Sequence, residues 1–448
     1  MRRVLLLGTV AALVAVPSAV STTAKVSGWL TYGGDESRHG YTAAAPGRGL
    51  RRAWRRHLDG LVTSQVLAVQ HGGDRFVIVG TTAGTVYAFD ARGRPRWRVR
   101  FGRLRHTCNQ LATWGIVGTG AVDPTPSAFY VVDSFGRLHA LDLSSGAERP
   151  GWPVRLYADY RRELVWGAAA IVHGAVYVGT GSYCDRSMEG KVIRVDLATR
   201  SVTQWVAVTP DDGGGGGIWG WGGVAYDRIR DSLLVATGNA FEGGTNVGRN
   251  FHETAGFGEQ VVELSPELEV RGHSHPTNLA RRGDYDFVGS PLPFWRQGCG
   301  PLVAAYNKNG NVYGWRAGRL DDGNVFSRRA AYNRLVSQLA YSPRTHALYV
   351  ITNYRLVRVD ITTRCHTHIA WRRKLGAGLY NTSPTISGDV LWFVRTGEAA
   401  ALLGVDARSG KIRFRGHVGA PVFPAPTVIG QRIYVATVTG DLAAFTLR

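Results

Sequence analysis

The sequence predicts an all-β protein, an eight-bladed β-propeller with four-stranded antiparallel blades. Three observations carry this prediction. One pattern of strand pairs returns along the chain at a spacing of roughly 50 residues, which is the size of a four-stranded blade. Apolar residues alternate with period two, and no stretch sustains the three-and-four spacing of a helix. The last copy is incomplete, so we expect a strand from the N-terminal segment to close the ring.

Each copy of the repeat reads as an apolar strand, a turn, a second strand that ends in Asp, and then an aromatic residue. The clearest copies span residues 76–97, 129–152 and 175–205, with Asp90, Asp142 and Asp196 at equivalent points. Weaker copies follow at residues 260–265, 310–316, 355–371, 401–414 and 440–445. The eighth copy lacks its last strand, for which the segment around Trp54 or Trp29 is the candidate.

The N-terminus predicts export. Arg2 and Arg3 precede an apolar run at residues 4–16, and small residues follow around Ser21, as in a secretory signal peptide. We therefore expect residues 1–21 to be a signal peptide and residues 22–448 to form a single propeller domain. No later segment is long and apolar enough to span a bilayer, so the expected location is extracytoplasmic, in the periplasm or cell envelope, or secreted.

Charge and cysteine content set expectations for partners and disulfides. The formal net charge is +20, from 53 Lys and Arg against 33 Asp and Glu. Only residues 372–374 form a run of more than two basic residues, so we expect a scattered arginine-rich surface. Four cysteines in an exported protein suggest two disulfides and allow three pairings. We favour Cys108 with Cys184 and Cys299 with Cys365, because each pair would join neighbouring repeats.

The stretch at residues 213–239 stands apart from the generic repeat. Five consecutive glycines lead into Trp219 and Trp221, and an apolar strand then ends at Asn239. Glycine adopts backbone conformations closed to other residues, so this loop can present a flat ring. The repeat around it also carries the longest insertions, and in repeat folds such insertions usually mark the binding face.

The unit Gly-x-Val-Tyr-Ala-Phe-Asp followed by Trp97 resembles the pyrroloquinoline quinone (PQQ) repeat. The resemblance covers essentially the whole mature chain. Two kinds of protein share this repeat. Quinoprotein alcohol dehydrogenases hold PQQ and a calcium ion on the propeller axis, whereas scaffold propellers similar to the outer-membrane assembly lipoprotein hold neither.

The stretch at residues 213–239 resembles the dehydrogenases in particular. Their Gly-rich turn leads into Trp-Gly-Trp, then Ala-Tyr-Asp, then a strand that ends in Gly-Asn, and residues 219–221, 225–227 and 238–239 follow the same order. The resemblance implies that Trp219 lies under the quinone ring, with Trp221 in the same cofactor site. It also implies that Asn239 offers its carbonyl oxygen to calcium.

Further site residues are implied by the same resemblance. Residues 285–289 resemble the family's Trp-Asp-Phe-Ala-Gly, which places Asp286 where the catalytic base stands. Counting five residues back from Gly190 places Asp185 at the calcium-ligand glutamate. The implied metal ligands are then Asp185, Asn239 and Asp286. Hard oxygen ligands suit calcium, and a carboxylate must accept the proton of the substrate hydroxyl.

Two departures weigh against dehydrogenase activity. The dehydrogenases close the quinone site with two adjacent cysteines, which this chain lacks. Cys108 nevertheless lies in the corresponding loop, and Cys108 and Cys184 are the candidate cysteines of the cofactor site here. The arginine before the blade-opening glycine is replaced by Glu189.

Two hypotheses for the function remain. The favoured one is a non-catalytic or degenerate propeller that acts in binding or scaffolding at the cell envelope. The alternative is a PQQ- and calcium-dependent alcohol dehydrogenase-like oxidoreductase. We expect a monomer whose partner is an anionic ligand or envelope component, and not nucleic acid.

Overall fold

A computed structural model describes residues 26–105, 111, 113–160, 162–181, 188–241, 255–276, 284–287, 289–331, 337–352, 354–376, 382–396 and 400–448. The predicted signal peptide, Cys108, Cys184 and Asp185 lie outside these ranges. Within them, two short 3-10 turns occur at Pro210–Asp212 and Leu320–Asp322. No helix in these ranges has the length and apolar character needed to cross a bilayer.

The strands form eight four-stranded antiparallel blades, which confirms the predicted fold class. Strand order within blades 1 to 7 follows the chain, so each of their four strands pairs with the next one. The blades comprise, in order, Leu67–His71, Asp74–Gly80, Thr85–Phe89 and Pro95–Arg100; Ala121–Asp123, Ala128–Val132, Arg137–Asp142 and Val154–Arg155; Ala170–Val172, Ala175–Gly179, Lys191–Asp196 and Val202–Val206; Ala225–Asp227, Ser232–Ala236, Val261–Leu264 and Val270–Ser274; Leu292–Arg296, Gly300–Tyr306, Asn311–Arg316 and Phe326–Arg329; Ala340–Ser342, Ala347–Ile351, Arg355–Ile361 and Thr367–Lys374; Thr385–Ser387, Val390–Arg395, Ala401–Asp406 and Ile412–His417; and Thr427–Ile429, Arg432–Ala436, Asp441–Leu447 and Leu50–His57.

The N-terminal segment closes the ring, as the sequence predicts. Leu50–His57, which contains Trp54, pairs antiparallel with Asp441–Leu447 and becomes the outermost strand of blade 8. Trp29 has a different place, because Ser27–Trp29 pairs with the first strand of blade 1. A further short strand, Tyr41–Thr42, runs parallel to the first strand of blade 7, and Leu104–Arg105 pairs with Thr113–Trp114 ahead of blade 2. From blade 2 to blade 8 the first strands of neighbouring blades are in contact, and that of blade 8 contacts that of blade 1.

The hydrophobic core is divided among the interfaces between blades. Each of the eight interfaces has its own cluster of buried residues, such as Val131, Leu141 and Phe76 between blades 1 and 2. The alternating apolar residues of one blade thus face those of the next, which is why period two dominates the sequence. The ring is therefore stabilised by face-to-face packing of neighbouring blades.

Tryptophans on the outer strands of blades 8, 1 and 6 connect each of these blades to a turn of the following one. The indole nitrogens of Trp54, Trp97 and Trp371 donate hydrogen bonds to backbone oxygens of the next blade, at 3.1, 3.0 and 3.3 Å. A glycine lies under the ring in each case. At Gly146 (φ +72°), an added Cβ would approach Cδ2 of Trp97 to 2.6 Å. The aromatic residue of one blade thus packs against the glycine turn of the next blade.

We expect Gly146→Ala to lower the free energy of unfolding by about 2–3 kcal/mol, from the left-handed backbone and from the collision with Trp97. The matched control is Gly174→Ala. Gly174 has almost the same φ, +71°, but an added Cβ there meets nothing within 4 Å. Only the backbone cost should remain in the control, about 1 kcal/mol. Chemical denaturation of both variants measures the difference, and equal losses would show that Trp97 packing contributes nothing.

One predicted disulfide is confirmed. Cys299 and Cys365 are bonded, with Cα atoms 5.5 Å apart, and they join blade 5 to blade 6. The predicted bond between Cys108 and Cys184 concerns residues outside the described ranges and stays a prediction.

Candidate functional site

The glycine-rich loop delivers Trp219 to one end of the propeller. Gly213, Gly214, Gly215 and Gly216 all have positive φ, between 68° and 101°, which residues with a side chain rarely adopt. The loop is held from both sides. The Gly190 amide donates to the Gly215 oxygen at 2.7 Å, and the Gly216 amide donates to the Asn239 oxygen at 2.8 Å. Residues 213–216 thus bridge blade 3 and blade 4 just before Trp219.

Asn239 and Asp286 are brought together, as the resemblance implies. The backbone amide of Asn239 donates to Oδ1 of Asp286 at 2.7 Å, and Oδ1 of Asn239 accepts from the Tyr285 amide at 3.3 Å. An added Cβ on Gly238 would come within 2.4 Å of Oδ1 of Asp286 and 3.1 Å of Nε1 of Trp219. Glycine before Asn239 is therefore what lets the carboxylate, the amide and the indole approach one another.

Two further residues complete the site, and the sequence reasoning missed both. Lys308 lies in a turn of blade 5, and its Nζ donates to Oδ2 of Asp286 at 2.5 Å and to Oδ1 of Asp284 at 2.7 Å. Asp284 also accepts from Nδ2 of Asn239 at 3.0 Å. The Lys308 ammonium lies 5.1 Å from the centroid of the Trp219 ring, so the charged group stands over an aromatic face. We call Trp219, Asn239, Asp284, Asp286 and Lys308 the axial cluster.

A signal for both missed residues exists in the sequence. Asp284 stands two positions before Asp286. In an extended segment, side chains two positions apart lie on the same side, so two carboxylates at this spacing can reach one partner. Lys308 follows the second strand of blade 5, just as Asn239 follows the second strand of blade 4. Alignment of equivalent turns in successive copies would therefore have selected Lys308.

Burial and charge shift the pKa values of the two carboxyl groups of the axial cluster in opposite directions. Burial raises the pKa of the Asp286 carboxyl and outweighs the opposing charge of Lys308. At Asp284 burial also acts to raise the pKa, but the Lys308 ammonium and the hydrogen bonds from Lys308 and Asn239 lower it overall. The side chain of Asp284 is 54% exposed and that of Asp286 only 11%, which accounts for the difference.

The charge on Lys308 is stabilised in turn by its two partners. Burial alone would lower the pKa of the Lys308 ammonium, but Asp286 and Asp284 together raise it well above its ordinary value. Lys308 is therefore a permanent cation at neutral pH. The arrangement separates the two acids into one that is firmly ionised and one that is closer to taking a proton.

Trp221 lies in a buried aromatic cluster against which Trp219 of the axial cluster also packs. It is 4% exposed, and its ring makes edge-to-face contacts with Trp166 and Phe423, both at 5.9 Å between centroids. Trp166 contacts Trp114 at 4.5 Å in the same way. These residues precede the first strands of blades 2, 3, 4 and 8, so they pack where the blades converge. Trp221 is thus placed among packed aromatic rings.

The remaining predicted site residues cannot be placed. Cys108, Cys184 and Asp185 lie outside the described ranges, so their roles stay predictions. Among the described residues, no three His, Cys, Asp or Glu side chains group together as a metal site. Two carboxylates do meet in the axial cluster on Nζ of Lys308, while Oδ1 of Asn239 accepts from the Tyr285 amide.

Comparisons with known proteins agree with this architecture. Residues 303–448 match the family model described as outer membrane protein assembly factor BamB. No significant match exists among curated protein sequences.

Solved structures of two kinds share the fold. A europium-containing methanol dehydrogenase superposes with a TM-score of 0.71 at 16% identity, covering 94% of this chain and 98% of its own. A quinohemoprotein alcohol dehydrogenase from Comamonas testosteroni gives 0.71 at 16% identity, with 96% and 81% covered. BamB from Moraxella catarrhalis gives 0.61 at 16% identity, with 89% and 100% covered. The chain thus shares the eight-bladed propeller fold of these proteins over nearly its whole length, and its C-terminal third, residues 303–448, matches the family model.

Proposed function

We propose that this chain is an exported quinoprotein-like propeller whose axial cluster binds PQQ together with a hard metal cation. One observation carries the proposal: Asn239 and Asp286, two residues implied by the resemblance, meet at hydrogen-bond distance beside Trp219. They are far apart in sequence from Trp219 and from each other. A generic propeller requires no such meeting of an amide, a carboxylate and an indole at one end of its axis.

The residues of the axial cluster fit such a group. Asp284 and Asp286 offer carboxylate oxygens, the ligand type that calcium and other hard cations prefer, and Oδ1 of Asn239 would join them by exchanging its hydrogen bond from the Tyr285 amide for the cation. The indole face of Trp219 offers a flat apolar surface for a flat ring. Lys308 balances the two carboxylates and stands ready to donate hydrogen bonds to an anionic oxygen.

The chain's own groups then divide the work of alcohol oxidation. PQQ, when bound, supplies an ortho-quinone carbonyl that accepts hydride and that a cation polarises. Asp286 would accept the proton of the substrate hydroxyl on its carboxylate, for which the raised pKa is favourable. Lys308 would keep the Asp286 carboxylate oriented, through the hydrogen bond to Oδ2. Asp284, more exposed and more acidic, would stay ionised and hold Lys308 in place.

The second candidate function is a non-catalytic binding or scaffolding propeller at the cell envelope. The match of residues 303–448 to the BamB family model supports it, as does the absence of adjacent cysteines in the sequence. Under this alternative the axial cluster is a buried ion-pair network that fixes blade 4 against blade 5. The two functions differ in whether the axial cluster binds a ligand.

Titration with PQQ in the presence of Ca²⁺ or Eu³⁺ distinguishes them. We expect saturable binding at micromolar PQQ, followed by its absorbance, and dye-linked oxidation of alcohols. Trp219→Leu should weaken PQQ binding, whereas Asp286→Asn should abolish oxidation more than binding. Trp295→Leu is the matched control, because Trp295 is 53% exposed on blade 5 and should leave both unchanged. Absence of binding with either cation would leave the scaffolding function.

A further inference from the structure

On the outermost strands the basic residues are concentrated on one part of the circumference, whereas the sequence predicts a scattered distribution. The outermost strands of five consecutive blades, 5, 6, 7, 8 and 1, carry fourteen Lys and Arg residues. Those of blades 2, 3 and 4 carry two. None of the eight outermost strands contains Asp or Glu. We call the outermost strands of blades 5 to 8 and 1 the basic rim.

Few of these charges are neutralised. Arg55, Arg96 and Arg413 each pair with an aspartate of their own blade, at 2.5, 2.8 and 2.7 Å. In the described part of the chain, none of the other eleven has a carboxylate within 4.0 Å. On the outermost strands of blades 1 and 7 the exposed arginines occupy every second position, about 6.6 Å apart. The result is a band of exposed positive charge rather than a set of surface ion pairs.

The basic rim is continuous from blade to blade. Arg372 of blade 6 donates to the backbone oxygen of Arg329 in blade 5 at 3.1 Å. Arg373 donates to the Gly410 oxygen in blade 7 at 2.8 Å, and Arg56 of blade 8 donates to the Gly93 oxygen in blade 1 at 2.7 Å. These contacts cross the grooves between blades and keep the arginines close to the surface. The outermost strands of blades 7 and 8 are also in contact, so a ligand following the circumference would meet positive charge on each blade in turn.

Protection of exposed sheet edges does not account for this distribution. Charged side chains on edge strands do prevent strand pairing between molecules. All eight blades expose an outermost strand, however, and Val202–Val206 of blade 3 has no charged residue at all. Edge protection would predict a similar number of charged residues on the outermost strand of every blade. The asymmetry calls for a ligand on one side of the ring.

We propose that the basic rim binds a linear phosphate-bearing polymer that follows the circumference of the propeller. Thirteen of its fourteen cations are arginines, whose planar guanidinium donates paired hydrogen bonds to phosphate oxygens. A flexible chain can engage all five blades in turn, whereas a flat bilayer would touch a convex wall at only one or two. The surface lies on the circumference, so this binding is independent of the axial cluster and of its proposed cofactor.

Binding of long-chain inorganic polyphosphate at several salt concentrations tests the proposal. Arg51→Gln, Arg98→Gln and Arg415→Gln together remove one exposed, carboxylate-free arginine from each of blades 8, 1 and 7. Each lost phosphate contact should flatten the plot of log K against log salt by about 0.7, so the triple variant should lose about 2 in slope and at least tenfold in affinity. Circular dichroism checks that the variant is folded.

The matched control removes the same charge from the other side of the ring. Arg155→Gln, Arg200→Gln and Arg271→Gln change exposed arginines of blades 2, 3 and 4, and should leave the affinity within twofold of the original. Equal losses in both triple variants would overturn the proposal, because net charge alone would then explain binding. Tight binding to phosphatidylglycerol vesicles without binding to polyphosphate would also overturn it, in favour of a membrane surface.

Discussion

Replacing Lys308 by methionine is expected to lower the free energy of unfolding by about 3 kcal/mol at neutral pH. The change removes the only cation that the described structure shows on Asp286 and leaves two carboxylates facing each other. Breaking a buried ion pair on one side typically costs about 3–5 kcal/mol. The lower end applies because Asp284 is half exposed and water can stabilise its charge. Chemical denaturation of the variant and the original protein measures the loss.

The loss should depend on pH in a defined direction. Burial already raises the pKa of Asp286 above 3.8, and removal of Lys308 would raise it further. A carboxyl group with a raised folded-state pKa destabilises the fold increasingly as pH rises from the unfolded pKa through the folded one. The destabilisation by Lys308→Met should therefore be smaller at pH 5 than at pH 8. A loss independent of pH would mean that packing of the lysine chain, and not its charge, is what the variant removes.

Two additions make the Lys308 experiment diagnostic. The double variant Lys308→Met with Asp286→Asn removes the buried negative charge and should recover part of the stability. Ca²⁺ or Eu³⁺ should stabilise Lys308→Met more than the original protein, because the cation would replace the ammonium between the carboxylates. Failure of both ions to stabilise the variant would count against the metal-binding part of the proposed function, while leaving the ion-pair prediction intact.

The fold was predictable because every blade has the same strand pattern, and that pattern recurs in the sequence. Period-two alternation, an Asp at the end of the third strand and an aromatic residue on the fourth recur through three clear copies. The incomplete eighth copy also predicted closure by the segment around Trp54. Trp29 offered the same local signal, yet it joins blade 1, since pairing partners depend on chain path and not on local pattern.

The axial cluster was only half predictable, because its members come from different blades. Asn239 and Asp286 were identified through resemblance, since each carries a local motif. Lys308 carries none, and its role follows from standing 22 positions after Asp286 in a turn that the propeller folds back onto it. Alignment of equivalent turns between copies selects Lys308 as a candidate, but it does not report the contact with Asp286. The charge distribution was missed for a similar reason, since its fourteen basic residues lie on five separate strands and only residues 372–374 form a run of more than two.

The second large effect is expected from the disulfide between blades 5 and 6. Changing Cys299 and Cys365 together to alanine should lower the free energy of unfolding by about 4 kcal/mol. The two cysteines are 66 residues apart, and constraining a loop of that length in the unfolded chain accounts for this magnitude. Alanine is preferred to serine because Cys299 is buried, and a hydroxyl there would lose hydration.

Guanidinium denaturation with and without dithiothreitol provides the measurement and its control. The original protein should lose stability in reductant, down to at least the level of the double variant. Any further loss in the reduced double variant reports on the other two cysteines, and so tests the predicted bond between Cys108 and Cys184. An unchanged midpoint in the double variant would mean that blade packing alone fixes this interface, because the buried cluster between blades 5 and 6 would then suffice. A lower denaturation midpoint in the double variant would show instead that the ring depends on the disulfide between blades 5 and 6, at the interface next to the axial cluster.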